Sequence, residues 1–220
     1  MRDVPTKGSG DLLGNPLASD FPRDWDRLLE ALGPASLLVL IHERMGAGLR
    51  RTMQPEDVLQ EALLHAWRDR VKCEWRGLAQ YRSWFLTVID HRIHDLALGA
   101  ATLKRGGERG VLREADLARD DGAGREVDFL SCLTSTTPGR VAAFREQAQA
   151  MRAALGSLPE DLREVVRLRL FEELTSAEVA ERLGLGLSAV KHRFLKGAEI
   201  YQRCLRRELA TASDARPANP

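Results

Sequence analysis

Residues 174–198 read LTSAEVAERLGLGLSAVKHRFLKGA and carry the signals of two short helices joined by a tight turn. Thr175 is a suitable N-cap, and Glu178 stands three residues later, in the spacing of a capping box. Gly184 suits the left-handed residue that ends a helix, and Gly186 can precede the next one. The stretch therefore predicts a helix-turn-helix. The apolar residues expected on the inner face of its first helix are Val179, Ala180 and Leu183.

The second helix of this stretch is predicted to have one apolar face and one basic face. Its apolar residues recur three or four apart, as a single buried face requires; they are Leu187, Val190, Phe194, Ala198, Tyr201 and Leu205. Residues 187–207 contain six Lys or Arg and one acid, and such a surface suits phosphates and base edges. A solvated amphipathic helix without a ligand is the alternative. The polar face comprises Ser188, His192, Arg193, Lys196, Arg203 and Arg207.

The composition favours a helical protein. At 220 residues the chain has room for one domain or two small ones. Only 5% of the residues are aromatic, while Leu, Ala, Arg and Glu dominate, which favours helices over sheet. We therefore predict an all-α fold. The net charge of +1 excludes little, because segments of opposite sign cancel and the local balance has to be examined instead.

The cysteines and the N-terminal residues indicate in which cellular compartment the protein is located. Cys73, Cys132 and Cys204 are far apart and form no CxxC pair, which argues against a disulfide scaffold and against structural zinc. The chain begins MRDVPTKGSG without the apolar core of a secretory signal, and the longest apolar run, residues 37–41, is too short to cross a bilayer. We expect a cytoplasmic protein with reduced thiols and no membrane partner.

Shifts in composition predict two helical domains. The first 20 residues are rich in Gly, Pro, Ser and Asp, and a short helix is expected over residues 22–32. Periodicity fades over residues 106–137, where seven acids stand against four arginines. The predicted organisation is a flexible N-terminal extension (1–33), a helical domain (34–105), an acidic linker (106–137), the helix-turn-helix domain (138–210) and a disordered tail (211–220).

The first domain is predicted to hold three helices and an aromatic loop. The helices are expected over residues 35–51, from Pro55 onward and over residues 82–100. Pro55 is favoured in the first helical turn, where acidic side chains suit the positive end of the helix dipole. Between the second and third helices the loop VKCEWRGLAQY carries Trp75 and Tyr81.

Three motifs together carry a family resemblance. They are PEDVLQEALLHAWRD, YRSWFLTVIDHRIHDL and LPEDLREVVRLRLFEELTSAEVAERLGLGLSAVKHRFLKGA, which cover about half the chain in the order and spacing of the family. With them the chain resembles the extracytoplasmic-function (ECF) group of bacterial RNA polymerase sigma factors of the sigma-70 family. That resemblance implies a subunit that joins core RNA polymerase, directs it to promoter DNA and helps to open the duplex. It also allows an anti-sigma factor as a further partner.

The resemblance implies roles for particular residues. The segment EDVLQE would dock on the core enzyme through Asp57, Gln60 and Glu61, since carboxylates on a rigid helix can pair with a basic surface. A solvated helix start is the alternative. The helix-turn-helix would read the duplex through Ser188, Ala189, Lys191, His192, Arg193 and Lys196. The melted promoter strand would be held by Trp75, Tyr81, Arg82, Trp84, His91 and Arg92, with Tyr81 and Arg82 as the leading contacts and a core role for Trp84 as an alternative.

The chain departs from the family pattern within the melted-strand segment. Asp90 and His91 stand where relatives commonly have Arg-Asn followed by a basic cluster. Asp90 would repel phosphate unless it accepts a hydrogen bond from a base or pairs with Arg92. The resemblance also implies that the acidic linker lies along the nucleic-acid channel of the polymerase.

Three other functions are weighed against this one. A helix-turn-helix regulator that acts without core polymerase leaves the two N-terminal motifs unexplained, and an adaptor that only occupies polymerase would not depend on promoter sequence. A metal-dependent phosphohydrolase is suggested by His91, His94 and Asp95, yet His42 and His65 lack a supporting motif. No P-loop, catalytic triad or dinucleotide fingerprint appears. We expect no enzyme activity, no cofactor and no metal site.

Overall fold

The computed structural model describes residues 15–18, 22–104 and 138–214. In these three ranges the chain forms eight α-helices, with short 3-10 turns between some of them, and no strand. The predicted all-α fold class is confirmed. The predicted acidic linker over residues 106–137 lies outside the described residues, and so do residues 215–220 of the predicted tail.

The distances between Cα atoms divide the chain into two compact units. Within the described residues, the first unit contains those up to Pro34 and from Ile41 to Lys104. The second contains Ala35–Leu40 and the residues from Pro138 onward. The domain boundaries drawn from the sequence stay predictions.

The described residues 15–18 and 22–104 contain four α-helices, and two of them build the core of the first unit. Helices α3 and α4 pack against each other, and Val58, Phe85 and Ile89 between them are fully buried. The start of α3 follows the predicted chemistry, because Pro55 occupies the first turn and the Asp57 carboxylate accepts a hydrogen bond from the Gln54 amide at 2.9 Å. The helices are α1 (Pro22–Leu32), α2 (Pro34–Arg44), α3 (Pro55–Arg68) and α4 (Leu78–Lys104).

Part of the predicted flexible extension is packed helix. Residues 22–32 form α1, as the sequence pattern predicted, and Trp25, Leu28 and Leu32 are buried. The Trp25 ring lies edge-on to the Trp67 ring of α3, with 5.0 Å between centroids. Burial of three large apolar side chains gives α1 a packing energy that a flexible segment lacks.

Two other helices differ from their predicted bounds. The helix predicted over residues 35–51 ends at Arg44, since Met45 is extended, and a 3-10 turn follows at Leu49–Arg51. The helix predicted from residue 82 begins at Leu78, directly after Gly77, whose positive φ of 105° marks the end of the preceding loop. Tyr81 is therefore a helical residue and not part of the loop.

The second unit is built around its last helix. Helix α8 (Leu187–Asp214) packs against the three helices before it, α5, α6 and α7. Between α6, α7 and α8 lies a fully buried cluster of Val165, Leu168, Val179 and Val190. Leu187 was predicted in the buried stripe but is 46% exposed, because it is the first residue of α8 and lies at the edge of the packed surface. The helices are α5 (Pro138–Gly156), α6 (Glu160–Leu170), α7 (Ser176–Leu183) and α8 (Leu187–Asp214).

Candidate nucleic-acid interface

Helix α7 is capped at both ends as the sequence predicted. The Thr175 hydroxyl oxygen accepts a hydrogen bond from the Glu178 amide, and the Thr175 amide donates to the Glu178 carboxylate at 2.6 Å. These hydrogen bonds hold the pKa of Glu178 below its usual range. Gly184 ends the helix in the left-handed conformation, with φ of 63°. The capping box and the glycine exit are thus confirmed, and they set the direction in which α8 leaves the turn.

A group of ion pairs joins α6 to α7. The Glu172 side chain is 6% exposed, and its carboxylate accepts from Arg167 at 2.5 Å and from Arg182 at 3.0 Å. Arg167 also donates two hydrogen bonds to Glu164, which lower the pKa of that carboxyl. Glu164 and Arg167 lie one turn apart on α6, but only the fold brings residues 172 and 182 to them, so the sequence pattern gave no signal for the network as a whole.

Arg169 connects α6 to α8. Its guanidinium carbon lies 5.1 Å from the centroid of the Phe194 ring, and its Nη1 donates to the Leu174 carbonyl. Phe194 is one of the predicted core residues of α8 and packs against the buried cluster. The start of α8 is therefore fixed by apolar packing, by a cation-π contact and by the capped turn before it.

The solvent face of α8 carries most of the predicted duplex-binding residues. Arg193 differs from the others, because it is half-buried and its Nε lies 3.9 Å from the Asp161 carboxylate of α6. A pair of that length between partly exposed groups contributes little to stability. The exposed members are Ser188, Ala189, Lys191, His192 and Lys196.

In the first unit, Tyr81 is the centre of an aromatic cluster. Its ring centroid lies 5.7 Å from that of Trp75, 5.3 Å from that of Trp84 and 6.1 Å from that of Phe85, the last in a stacked arrangement. Tyr81 is 2% exposed, and this burial raises the pKa of its phenol. Trp75 and Trp84 are half-buried at the edge of the cluster.

Tyr81 and Arg82 do not occupy the positions that the sequence predicted. Arg82 is 4% exposed, and its Nη1 donates a hydrogen bond to the Leu32 carbonyl at the end of α1. Both were expected at a helix entrance, where they would be the leading contacts to an unpaired strand. Because α4 begins four residues earlier than predicted, both side chains lie inside the first unit, out of reach of a strand.

Charged side chains on α4 are paired in a way that the sequence left open. The two Asp90 carboxylate oxygens accept hydrogen bonds from Nη1 of Arg44 at 2.9 and 3.0 Å. The partner of Asp90 is therefore Arg44, and not Arg92 as the sequence suggested. Arg92 lies 2.7 Å from the His65 ring nitrogen of α3 and donates to Asp95 at 2.5 Å. Burial, and then the nearby Arg92 charge, lower the pKa of His65. His91 is exposed.

Comparison with known proteins supports the resemblance found in the sequence. Residues 148–198, which include the capped turn and the first turns of α8, match the family model described as Sigma-70, region 4. An ECF RNA polymerase sigma factor, SigK of Mycolicibacterium vanbaalenii, is 25% identical over 161 residues, covering 71% of each chain. By these two matches the chain is similar to sigma-70 factors, and to the ECF group among them. The family resemblance of its sequence is thereby confirmed.

The residues predicted for core docking share the outer face of α3. Asp57 and Gln60 are exposed and Glu61 is half-buried, while the opposite face of the helix is in the core. Asp57 has a second task, since its carboxylate caps α3 through the Gln54 amide. A substitution at Asp57 would therefore change the helix as well as the surface, which makes Glu61 the better position for a test.

Within residues 15–18, 22–104 and 138–214, no group of three or more His, Cys, Asp or Glu is placed to hold a metal ion. Asp95, one of the residues that suggested a phosphohydrolase, is paired with Arg92. None of the helices in those ranges is both long and apolar enough to cross a membrane.

Proposed function

We propose that this chain is an ECF sigma factor, which binds core RNA polymerase, recognises promoter DNA and promotes the initiation of transcription. The first unit would serve as the domain that binds core enzyme and the melted strand, and the second as the domain that reads the duplex. The observation that carries the proposal is the capped helix-turn-helix, whose α8 leaves an exposed polar and basic face inside the region that matches sigma-70 region 4.

Duplex recognition is assigned to the first turns of α8. A helix fits the major groove of B-DNA, where Lys can reach guanine edges or phosphates and small residues allow close approach. Ser188 and Ala189 lie in the first turn of α8, and Lys191, His192 and Lys196 follow on its exposed surface. Arg193 can contribute once it exchanges Asp161 for phosphate, because their weak ion pair costs little to break.

Capture of the melted strand is assigned to the margin of the aromatic cluster. Half-buried Trp75 and Trp84 and exposed His91 can offer ring faces to unstacked bases. Arg92 would have to leave Asp95 before it could bind phosphate. Tyr81 and Arg82 are left out of this surface, since packing occupies both; their role is to hold the tryptophans and α1 in place.

The test of the proposed function is in vitro transcription with core polymerase over a genomic DNA library, with the start sites mapped. We expect new start sites that require both the core enzyme and this chain. A regulator acting without polymerase would instead bind a duplex site tightly by itself and create no start sites with core enzyme alone. If the chain neither copurifies with core enzyme nor changes where transcripts begin, the proposal is wrong.

Reversing the charge of Glu61 is expected to weaken core association. The Glu61→Lys variant places a cation where the partner surface is expected to be basic, and like-charge contacts in an interface cost several kcal/mol, or roughly a hundredfold in Kd. The measurement is the Kd of the labelled chain for core polymerase. Glu43→Lys makes the same charge change on the exposed side of α2 and serves as the matched control. An equal Kd for the two variants would rule out docking through the α3 face.

A further inference from the structure

Helix α8 continues well beyond the part that matches the sigma-70 model. The match ends at residue 198, but the helix runs to Asp214 without interruption. This extension is anchored, because the buried Tyr201 ring packs edge-on against Phe171, with 6.1 Å between centroids. The part of α8 after residue 198 is therefore a firm continuation of the helix and presents a fixed outer surface.

That outer surface is basic and is aligned with the duplex-reading face. Arg203 stands seven residues after Lys196, which is nearly two helical turns. It therefore lies on the same side of α8 as Lys196, about 10 Å further along the axis. Arg206 and Arg207 follow one turn later, about 15 Å beyond Lys196. We call Arg203, Arg206 and Arg207 the basic extension; all three are exposed, with the side chains of Arg203 and Arg207 more than two-thirds accessible.

The contacts that the basic extension makes within the chain are weak. Arg203 pairs with Glu199 at 3.2 Å, and both side chains are 74% exposed. Arg206 lies 3.5 Å from the Gln202 amide oxygen, and Arg207 is 3.3 Å from Glu208. Exposed pairs of this kind contribute little to stability, so an external anion can replace these partners at little cost.

We propose that the basic extension binds phosphates of duplex DNA outside the bases read by the first turns of α8. The major groove is about 12 Å wide, so a helix whose first turns enter it carries residues 10 to 15 Å further on to the sugar-phosphate rim. Arginine there would add affinity without reading sequence. The choice of duplex DNA as the ligand rests on the proposed function, whereas the alignment of the charges does not.

The test uses the full chain and a mixed-sequence duplex of about 30 base pairs, with Kd measured by fluorescence anisotropy over a series of KCl concentrations. Each phosphate contact contributes about 0.9 to the slope of log K against log salt. We expect the triple variant Arg203→Gln, Arg206→Gln, Arg207→Gln to have a slope shallower by about 2 to 3, with binding at 0.1 M KCl weaker by roughly a hundredfold or more.

Two further variants sharpen the result. The triple variant Arg140→Gln, Arg145→Gln, Arg152→Gln removes the same charge from α5, and its slope should stay near that of the original chain. Glu199→Gln removes the acid beside Arg203 and should strengthen duplex binding about twofold to fivefold, since one repulsion with phosphate disappears.

Three outcomes would overturn the inference. They are an unchanged slope for the basic-extension variant, an equal loss in the α5 variant, and no binding of the mixed duplex by the original chain. Loss of core-polymerase binding with normal duplex binding would assign the extension to an acidic protein surface, which also contradicts it. Start-site mapping tests the proposed function separately, so promoter-directed transcription together with an unchanged slope would overturn this inference alone.

Discussion

Gly197→Leu is expected to destabilise the second unit by about 3 kcal/mol, the upper part of the range for overpacked cores. Gly197 is buried where α8 crosses α6, and a Cβ there would lie 2.6 Å from Val166 Cγ2 and 3.3 Å from Leu162 Cβ. Val166 is fully buried and β-branched, so its side chain has no free rotamer to turn into. The helices would have to separate, and the start of α8 would move with them.

The measurement for Gly197 is thermal unfolding of the full chain, followed by helical circular dichroism and calorimetry. A loss of 3 kcal/mol in a unit of this size corresponds to a fall in Tm of roughly 10 to 20 °C. Gly99→Ala is the matched control, because a Cβ at residue 99 meets nothing within 4 Å and should add about 0.5 to 1 kcal/mol of helix stability. Similar Tm values for Gly197→Leu and the original chain would show that α6 does not approach Gly197 this closely.

The double variant His192→Ala, Lys196→Ala is expected to reduce promoter-directed transcription by ten- to a hundredfold. Both residues are exposed on the face of α8 assigned to the duplex, and each good contact with a base edge is worth about 1 to 3 kcal/mol. Alanine is the best helix former, so the fold of α8 should be kept. The readout is transcript yield from a mapped promoter with its upstream duplex element intact or scrambled.

The control for this double variant separates recognition from charge. Arg145→Ala removes the same single positive charge from the exposed side of α5 and should leave transcript yield within about twofold. Core-polymerase binding should be unchanged in both variants, because the face proposed for core docking lies on α3. If the double variant loses no more on the intact promoter than on the scrambled one, α8 does not read this element.

Local signals in the chain predicted the caps of α7 and the start of α8 closely. The N-cap chemistry of Thr175 and Glu178, the left-handed Gly184 and the spacing of Val190, Phe194 and Tyr201 all act within one or two helical turns. Such signals are visible in the sequence because the interacting atoms belong to neighbouring residues. The same reasoning predicted the start of α3 at Pro55.

The sequence was less informative wherever a residue has two chemically reasonable environments. Tyr81 and Arg82 have the side chains that bind nucleic acid, yet the same side chains suit an aromatic core and a buried hydrogen bond to the Leu32 carbonyl. The pattern of apolar residues in α8 passed over Gly197, because a glycine has no side chain to register in a hydrophobic stripe. In both cases the environment of the residue was determined by packing against residues distant in the sequence.

By itself, the sequence determined the helical class, the capped turn and the basic face of α8, since periodicity, capping and local charge follow from residues a few positions apart. Only the tertiary structure decided that α1 packs within the first unit, that Asp90 pairs with Arg44 and that Glu172 joins α6 to α7. Those outcomes depend on which helix faces meet. Long-range packing sets that geometry, and no local pattern in the chain encodes it.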